Sequence, residues 1–292
     1  MSANSPAFYS QQYASAVELL AQQLRPKIAP VFTPGTAVGK SATVVNQIDA
    51  IEAEERSTRY DDITPADPTQ TRPWVFPRHF DRAVFFDNID AMKMNANPTS
   101  EYVQALVAAI NRKMDDEAIR AFFADRMVGE NGTTTDSFTT NVGVNVGGTA
   151  SGLNVEKLQA GLEHFESKDI DLDTEQVYCV ISPKQKRNLM NEIEVTSGDF
   201  FKGEVMRTRS INGFLSLNFI VSNRLQVDGS SYRRVPLFLS KAMAFFTWDG
   251  GMKTNVTQRM DKRGLPWQAY AEGHFGSVRR DSDRLIEIKC AE

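Results

Sequence analysis

"NPTSEYVQALVAAINRKMDDEAIRAFFADRM", residues 97–127, is the clearest element in the chain. Val103, Leu106, Val107, Ile110, Met114, Ala118 and Phe122 recur at three- and four-residue spacing and so share one face of a helix. Asn97 suits the N-cap, Pro98 the first helical position, and Glu101 adds favourable charge in the first turn. No Gly or Pro interrupts before Gly129. The spacing predicts a helix of about 28 residues, roughly 40 Å long, more a girder than an ordinary packing helix. Asp115, Asp116 and Glu117 follow one another within it, so they fan around the helix and do not converge as an acid/base pair. Arg112 lies one turn before Asp115 and is a candidate structural ion pair with it.

Upstream, residues 35–90 read as an extended loop, a long β-hairpin with a broad tip. Two β-prone segments, "VGKSATVVNQIDAI" and "PWVFPRHFDRAVFF", flank the polar "ERSTRYDDITPADPTQTR", whose Pro65, Pro68 and aspartates mark turns. Two strands alone are marginal in water, so this hairpin needs another surface to lie on. Trp74, Phe76, Phe80, Phe85 and Phe86 put more aromatic area on it than it can cover, which points to a contact with another subunit. Residues 1–34 form an arm, with Tyr13, Val17, Leu20 and Leu24 at helical spacing before Pro26.

Downstream, a Gly/Thr/Asn-rich loop or twisted hairpin leads to a mixed α/β segment over 150–248. That segment holds the helical "NVEKLQAGLEHFESK", the buried strand "QVYCVISP", a short helix opened by Ser182-Pro183, and two strand-like runs. Residues 249–283 alternate polar and apolar in extended stretches, and 284–292 close on a strand. The fold class is α+β.

The remaining chemistry is sparse. The stretch "GTAVGKSA", 35–42, imitates a phosphate-binding loop, but only three residues separate its glycines, prolines precede it and β-branched chain follows. A nucleotide-handling enzyme using Lys40 is therefore the weakest reading, and Lys40 is better taken as a surface or intersubunit charge. "DIDLDTE" opens like a calcium loop, yet the required Gly is Thr174 and the bidentate Glu is Val180. The three histidines, His79, His164 and His274, have no ligand at metal spacing in the sequence. No catalytic, cofactor or metal constellation is expected. Composition, 41% hydrophobic and 24% charged, is that of a folded domain, and 37 acidic against 33 basic residues argue against a dedicated nucleic-acid reader. No apolar run reaches the roughly 18 residues of a membrane helix, and Cys179 and Cys290 read as buried free thiols.

Arm, extended hairpin, long helix, α/β subdomain and returning β tail, in that order, resemble the major capsid proteins of tailed bacteriophages, the Hong Kong 97-type fold. The echoes are "GKSATVVNQI", "FDRAVFFDNIDAMKMNANPTSEYV" with "NRKMDDEAI", and "INGFLSLNFIVSNRL", spread over about residues 10–290. The resemblance implies an N-terminal arm 1–34, an extended loop 35–90 over a neighbouring subunit, and a peripheral domain 91–149 with a spine helix 97–127. It implies an axial domain 150–248 completed by the strand in 284–292, with 249–283 returning through the peripheral domain. The function it implies is self-assembly into hexamers and pentamers of an icosahedral head around double-stranded DNA. Portal, a separate scaffolding protein and a decoration protein are the further partners; the virion, assembled in the host cytoplasm, is the location. Some relatives are welded through a lysine in the extended loop; residues 41–92 contain none, so non-covalent overlap is expected. An encapsulin-type cellular shell is the alternative within the same fold.

Overall fold

The computed structural model describes residues 22–48, 50–53, 55, 59, 65–86, 99–146, 150–172, 174–192 and 213–292. The caps expected at Asn97 and Pro98, and the helical patch at Tyr13, Val17 and Leu20, lie outside them. The chain divides into two compact units. The smaller takes the described parts of Met1–Pro26, His79–Lys113 and Gly250–His274; the larger takes Lys27–Arg78, Met114–Asp249 and Phe275–Glu292.

In the larger unit a five-stranded sheet has the order β11-β10-β12-β15-β9. Its strands are β9 (Asn141–Val142), β10 (Val177–Ile181), β11 (Leu217–Val221), β12 (Arg233–Leu239) and β15 (Leu285–Cys290). β10 and β11 are parallel, β12 is antiparallel to both β10 and β15, and β9 adds a short parallel edge. Val235, Leu237 and Ile288 are fully buried, as the apolar runs of covered strands require. Helix α2 (Val155–Glu166) is capped by the Asn154 side chain, which accepts from Lys157 N–H at 3.0 Å. It lies close on the sheet because Gly161 has no side chain: a Cβ there would stand 2.6 Å from Leu237 Cδ2. Helix α3 (Pro183–Met190) opens with a capping box between Ser182 and Gln185.

A second sheet in this unit has the order β2-β5-β7-β8, from Ala42–Thr43, Trp74–Val75, Arg126–Val128 and Thr134–Asp136. All its pairings are antiparallel. The Trp74 indole N–H donates to Gly129 O at 2.7 Å. Gly132, at φ 64°, closes the β7–β8 turn under that ring, where a Cβ would come within 2.9 Å of Trp74 Cγ. Strand β1 (Thr33–Ala37) pairs in parallel with the first half of β13 (Met243–Gln258). It is the edge strand, which is why Pro34 is tolerated within it. Ala37, Val75, Trp248 and Val278 form a small core beside it. A further pair, β3 (Gln47–Ile48) with β4 (Gln70–Thr71), is antiparallel.

The smaller unit contains most of β6 (Arg78–Phe86), the second half of β13 and most of β14 (Trp267–Arg279), in the order β13-β14-β6. It also holds the first part of helix α1 (Thr99–Phe123), where Tyr102 stacks on Phe86 with ring centroids 6.0 Å apart. α1 ends four residues short of the expected position 127. Arg126, Met127 and Val128 are drawn into β7 instead, because Met127 pairs with Trp74 and Thr135 and Arg126 meets Asp136. Strand β13 runs unbroken through residues 248 and 249, and the division between the two units falls within it, after Asp249.

Candidate functional site: an acidic triplet on the long helix

Successive residues of an α-helix point about 100° apart, so the three acids of α1 reach three different partners. Asp115 is fully buried. Its carboxylate accepts the backbone N–H of Lys27 at 2.9 and 3.1 Å, of Ile28 at 2.9 Å and of Ala29 at 3.3 Å. Asp116 takes a two-pronged contact from Arg224, Nε to Oδ1 at 2.5 Å and a terminal nitrogen to Oδ2 at 2.6 Å. Glu117, also buried, receives Arg78 at 2.9 Å and Arg120 at 2.9 and 2.5 Å. Donating to Asp116 and Glu117 raises the guanidinium pKa of Arg224 and Arg120, each opposed by burial. These carboxylates act as acceptors that fix the chain around the helix. Three segments distant in sequence, 27–29, 78 and 224, are thereby held to one turn of α1.

The end of that helix is completed from the far end of the chain. Arg279, fully buried, donates to Phe122 O at 3.0 Å and Ala124 O at 3.1 Å. These are among the carbonyls that a helix C-terminus leaves without partners. The same guanidinium reaches Ser282 Oγ at 3.0 Å and stands 4.8 Å from the Phe138 ring centroid. Burial first, and then the neighbouring Arg126, bring its pKa down to about 10, which leaves it charged at neutral pH. A comparable cation sits under α2, where the buried Lys157 ammonium donates to Ser151 O, Gly152 O and Lys289 O at 2.7–3.0 Å.

The residues singled out from the sequence fall as follows. Of the α1 stripe, Leu106, Ile110 and Phe122 are buried and Val103, Val107 and Met114 are half-buried. Toward its end the helix is covered nearly all round, with Ile119, Ala121 and Phe123 buried as well. Arg112 donates to Gln22 Oε1 at 2.7 Å and Gln23 O at 3.3 Å, while Asp115 holds the 27–29 backbone. Phe76 and Phe85 are exposed; Trp74, Phe80 and Phe86 are half-buried. Lys40 is exposed in a bend, and strand β2 rather than a helix follows it. Arg279, Arg224 and Arg78 carried no signal in the sequence, since each is an ordinary arginine whose partners lie about 40 to 160 residues away.

A cleft of about 580 Å³ is lined by Asn154, Glu156, Asn188, Asn191 and Glu192 near the start of α2. Among the described residues no group of three or more His, Cys, Asp or Glu side chains is arranged to hold a metal. No described helix is long and apolar enough to cross a membrane. Cys179 and Cys290 are free and buried; burial raises both thiols, Cys290 to about 12. The geometry is rich in inter-segment tethers, as a building block needs.

Comparison with known proteins agrees with that character. The model of the phage capsid protein family matches residues 5–292. The chain belongs to this family of virion shell proteins, which assemble from copies of themselves. The capsid structure of cyanophage P-SCSP1u is similar over 98% of this chain and 94% of its own, with a TM-score of 0.72 at 14% identity. The acid-stable capsid of Helicobacter pylori bacteriophage KHP30 gives a TM-score of 0.73 at 8% identity, covering 99% and 97%. For Mycobacterium phage Che8 the values are 0.70 and 13%, covering 96% and 97%. No curated protein matches the sequence. The mixed α+β architecture is the one shared with these capsids, in line with the Hong Kong 97-type fold expected above.

Proposed function

We propose that the chain is the major capsid protein of a tailed phage, forming the hexamers and pentamers of an icosahedral head that encloses double-stranded DNA. The observation that carries this reading is the family match from residue 5 to residue 292. The protein works as a structural subunit, not a catalyst. Residues 35–90 are the loop that overlaps a neighbour, residues 97–127 the spine of the peripheral domain, and 150–248 the axial domain at the centre of each capsomer. Exposed Phe76 and Phe85, with Lys40 and the partly covered Trp74, Phe80 and Phe86, supply the contact with the next copy.

The absence of lysine from residues 41–92 supports a shell held by non-covalent overlap. A net charge of -4 suits an inner wall that touches packaged DNA without gripping its phosphates. Portal, a separate scaffolding protein and a decoration protein complete the assembly, which takes place in the host cytoplasm. Electron microscopy of the recombinant protein, alone and with the scaffold gene product, tests this. Uniform shells or capsomer rings are expected, and a small monomer under every condition would overturn the proposal.

A further inference from the structure

Two of the three histidines in the sequence meet on one sheet face. His79, on β6, and His274, on the neighbouring β14, bring their Nδ1 atoms to 2.8 Å, with ring centroids 4.8 Å apart and planes at 71°. Two imidazole nitrogens at that distance need one N–H and one lone pair between them. The surroundings favour which is which. Glu272 Oε1 lies 3.8 Å from His274 Nε2, and its other oxygen accepts the Tyr270 hydroxyl at 3.1 Å. A carboxylate on that side keeps the proton of His274 on Nε2 and leaves its Nδ1 as a lone pair. The pair is then joined by the Nδ1–H of His79.

We propose that this pair is a binding site for a late first-row divalent cation of the zinc or copper class, coordinated by the two Nδ1 atoms. Zinc–nitrogen bonds of about 2.05 Å at a tetrahedral angle separate two ligand nitrogens by about 3.3 Å, so the rings open by roughly half an ångström. They have room to do so, because His79 is exposed and His274 is half-buried. On binding, His79 moves its proton from Nδ1 to Nε2 through solvent, both Nδ1 lone pairs enter the metal shell, and the cation gives up two waters. This tautomer shift leaves the number of protons on the pair unchanged. Among the described residues no third side chain completes the ligand set, so the cation keeps its remaining waters. Asp81 and Glu272 each lie two residues from a histidine on the same strand and so share its face, where they make the potential favourable for a cation. Neighbouring carboxylates, and burial before them, hold the Tyr270 hydroxyl above its ordinary range, so it stays a donor that orients Glu272. The ligand set of nitrogen with water suits zinc and copper over magnesium or calcium.

The test is a titration of untagged, assembled protein with ZnCl₂ by calorimetry, for wild type, His79→Gln and His274→Gln. One zinc per subunit is expected, with affinity reduced about tenfold or more in each variant and a smaller reduction in Glu272→Gln. Equal affinity in wild type and both histidine variants overturns the proposal, as does a wild type that binds no zinc. A second readout does not depend on the variants folding. Copper(II) bound to wild type at one equivalent per subunit should show an electron paramagnetic resonance spectrum with coupling to two imidazole nitrogens, and a spectrum without them overturns it.

Discussion

Asp115→Ala removes the acceptor shared by the backbone N–H groups of Lys27, Ile28 and Ala29. A buried donor left without a partner costs about 1–3 kcal/mol, and two of the three are buried, so the loss should be about 3 kcal/mol. For a chain of 292 residues the unfolding entropy is about 0.6 kcal/mol per degree, and the midpoint should fall by about 5 °C. The same energy accelerates local opening of residues 27–29 by roughly 150-fold, which hydrogen exchange by mass spectrometry reads directly on peptides spanning that segment. Asp115→Asn keeps one carbonyl oxygen in place and should show about half the effect. Arg112→Ala, which loses contacts to Gln22 and Gln23 near the surface, should cost less than about 1 kcal/mol and leave exchange at 27–29 unchanged. Unaltered protection at 27–29 in Asp115→Ala would refute the reasoning. So would an equal loss in Arg112→Ala, because the helix-to-arm tether would then run through the arginine.

Two other outcomes follow from groups described above or close to them. Burial lowers the pKa of His164, with Asp283 opposing and Lys168 adding to the shift. The unfolded chain therefore binds the proton more readily, so stability is full above about pH 6.5 and falls as the pH drops toward the folded value. His164→Phe should flatten that part of a stability–pH curve measured by thermal unfolding. The slope that sets in near pH 4 should survive the change, because it comes from Glu175 and Glu292, both held below the carboxylate range. Burial opposes the shift at Glu175, where Arg284 and Lys241 overcome it; at Glu292, Arg233 is the main cause. Gly161→Ala drives a methyl to within 2.6 Å of Leu237 Cδ2 and should destabilise by about 1–3 kcal/mol in a denaturant titration, despite the better helix propensity of alanine.

Local order was readable in the chain, and long-range order was not. The α1 stripe, the Ser182-Pro183 helix start and the apolar run of β10 announce themselves because period, cap and burial are properties of neighbouring residues. Consecutive acids at 115–117 could be seen to fan out, since that follows from helix geometry alone. Their partners could not be seen. Asp115 binds backbone, which every residue possesses, and Asp116 and Glu117 bind arginines that nothing in the local pattern distinguishes from the others. The same limit explains the end of α1. Residues 124–127 have helical composition, and only the pairing of Met127 with Trp74 and Thr135 turns the chain into strand β7. Parallel pairing of β1 with β13 joins residues about 210 apart and leaves no periodic trace. The histidine pair is of the same kind, 195 residues apart in sequence and 2.8 Å apart in space.

Arg279 also sets the order in which a new subunit can be finished. The carbonyl of Phe122 waits for a guanidinium 157 residues further along the chain. At bacterial synthesis rates of roughly 5–20 residues per second, that is an interval of about 10 to 30 seconds in which the helix has emerged with its end uncapped. During that interval the carbonyls of Phe122 and Ala124 lack the guanidinium that closes them. The end of α1 is closed only once synthesis has passed Arg279.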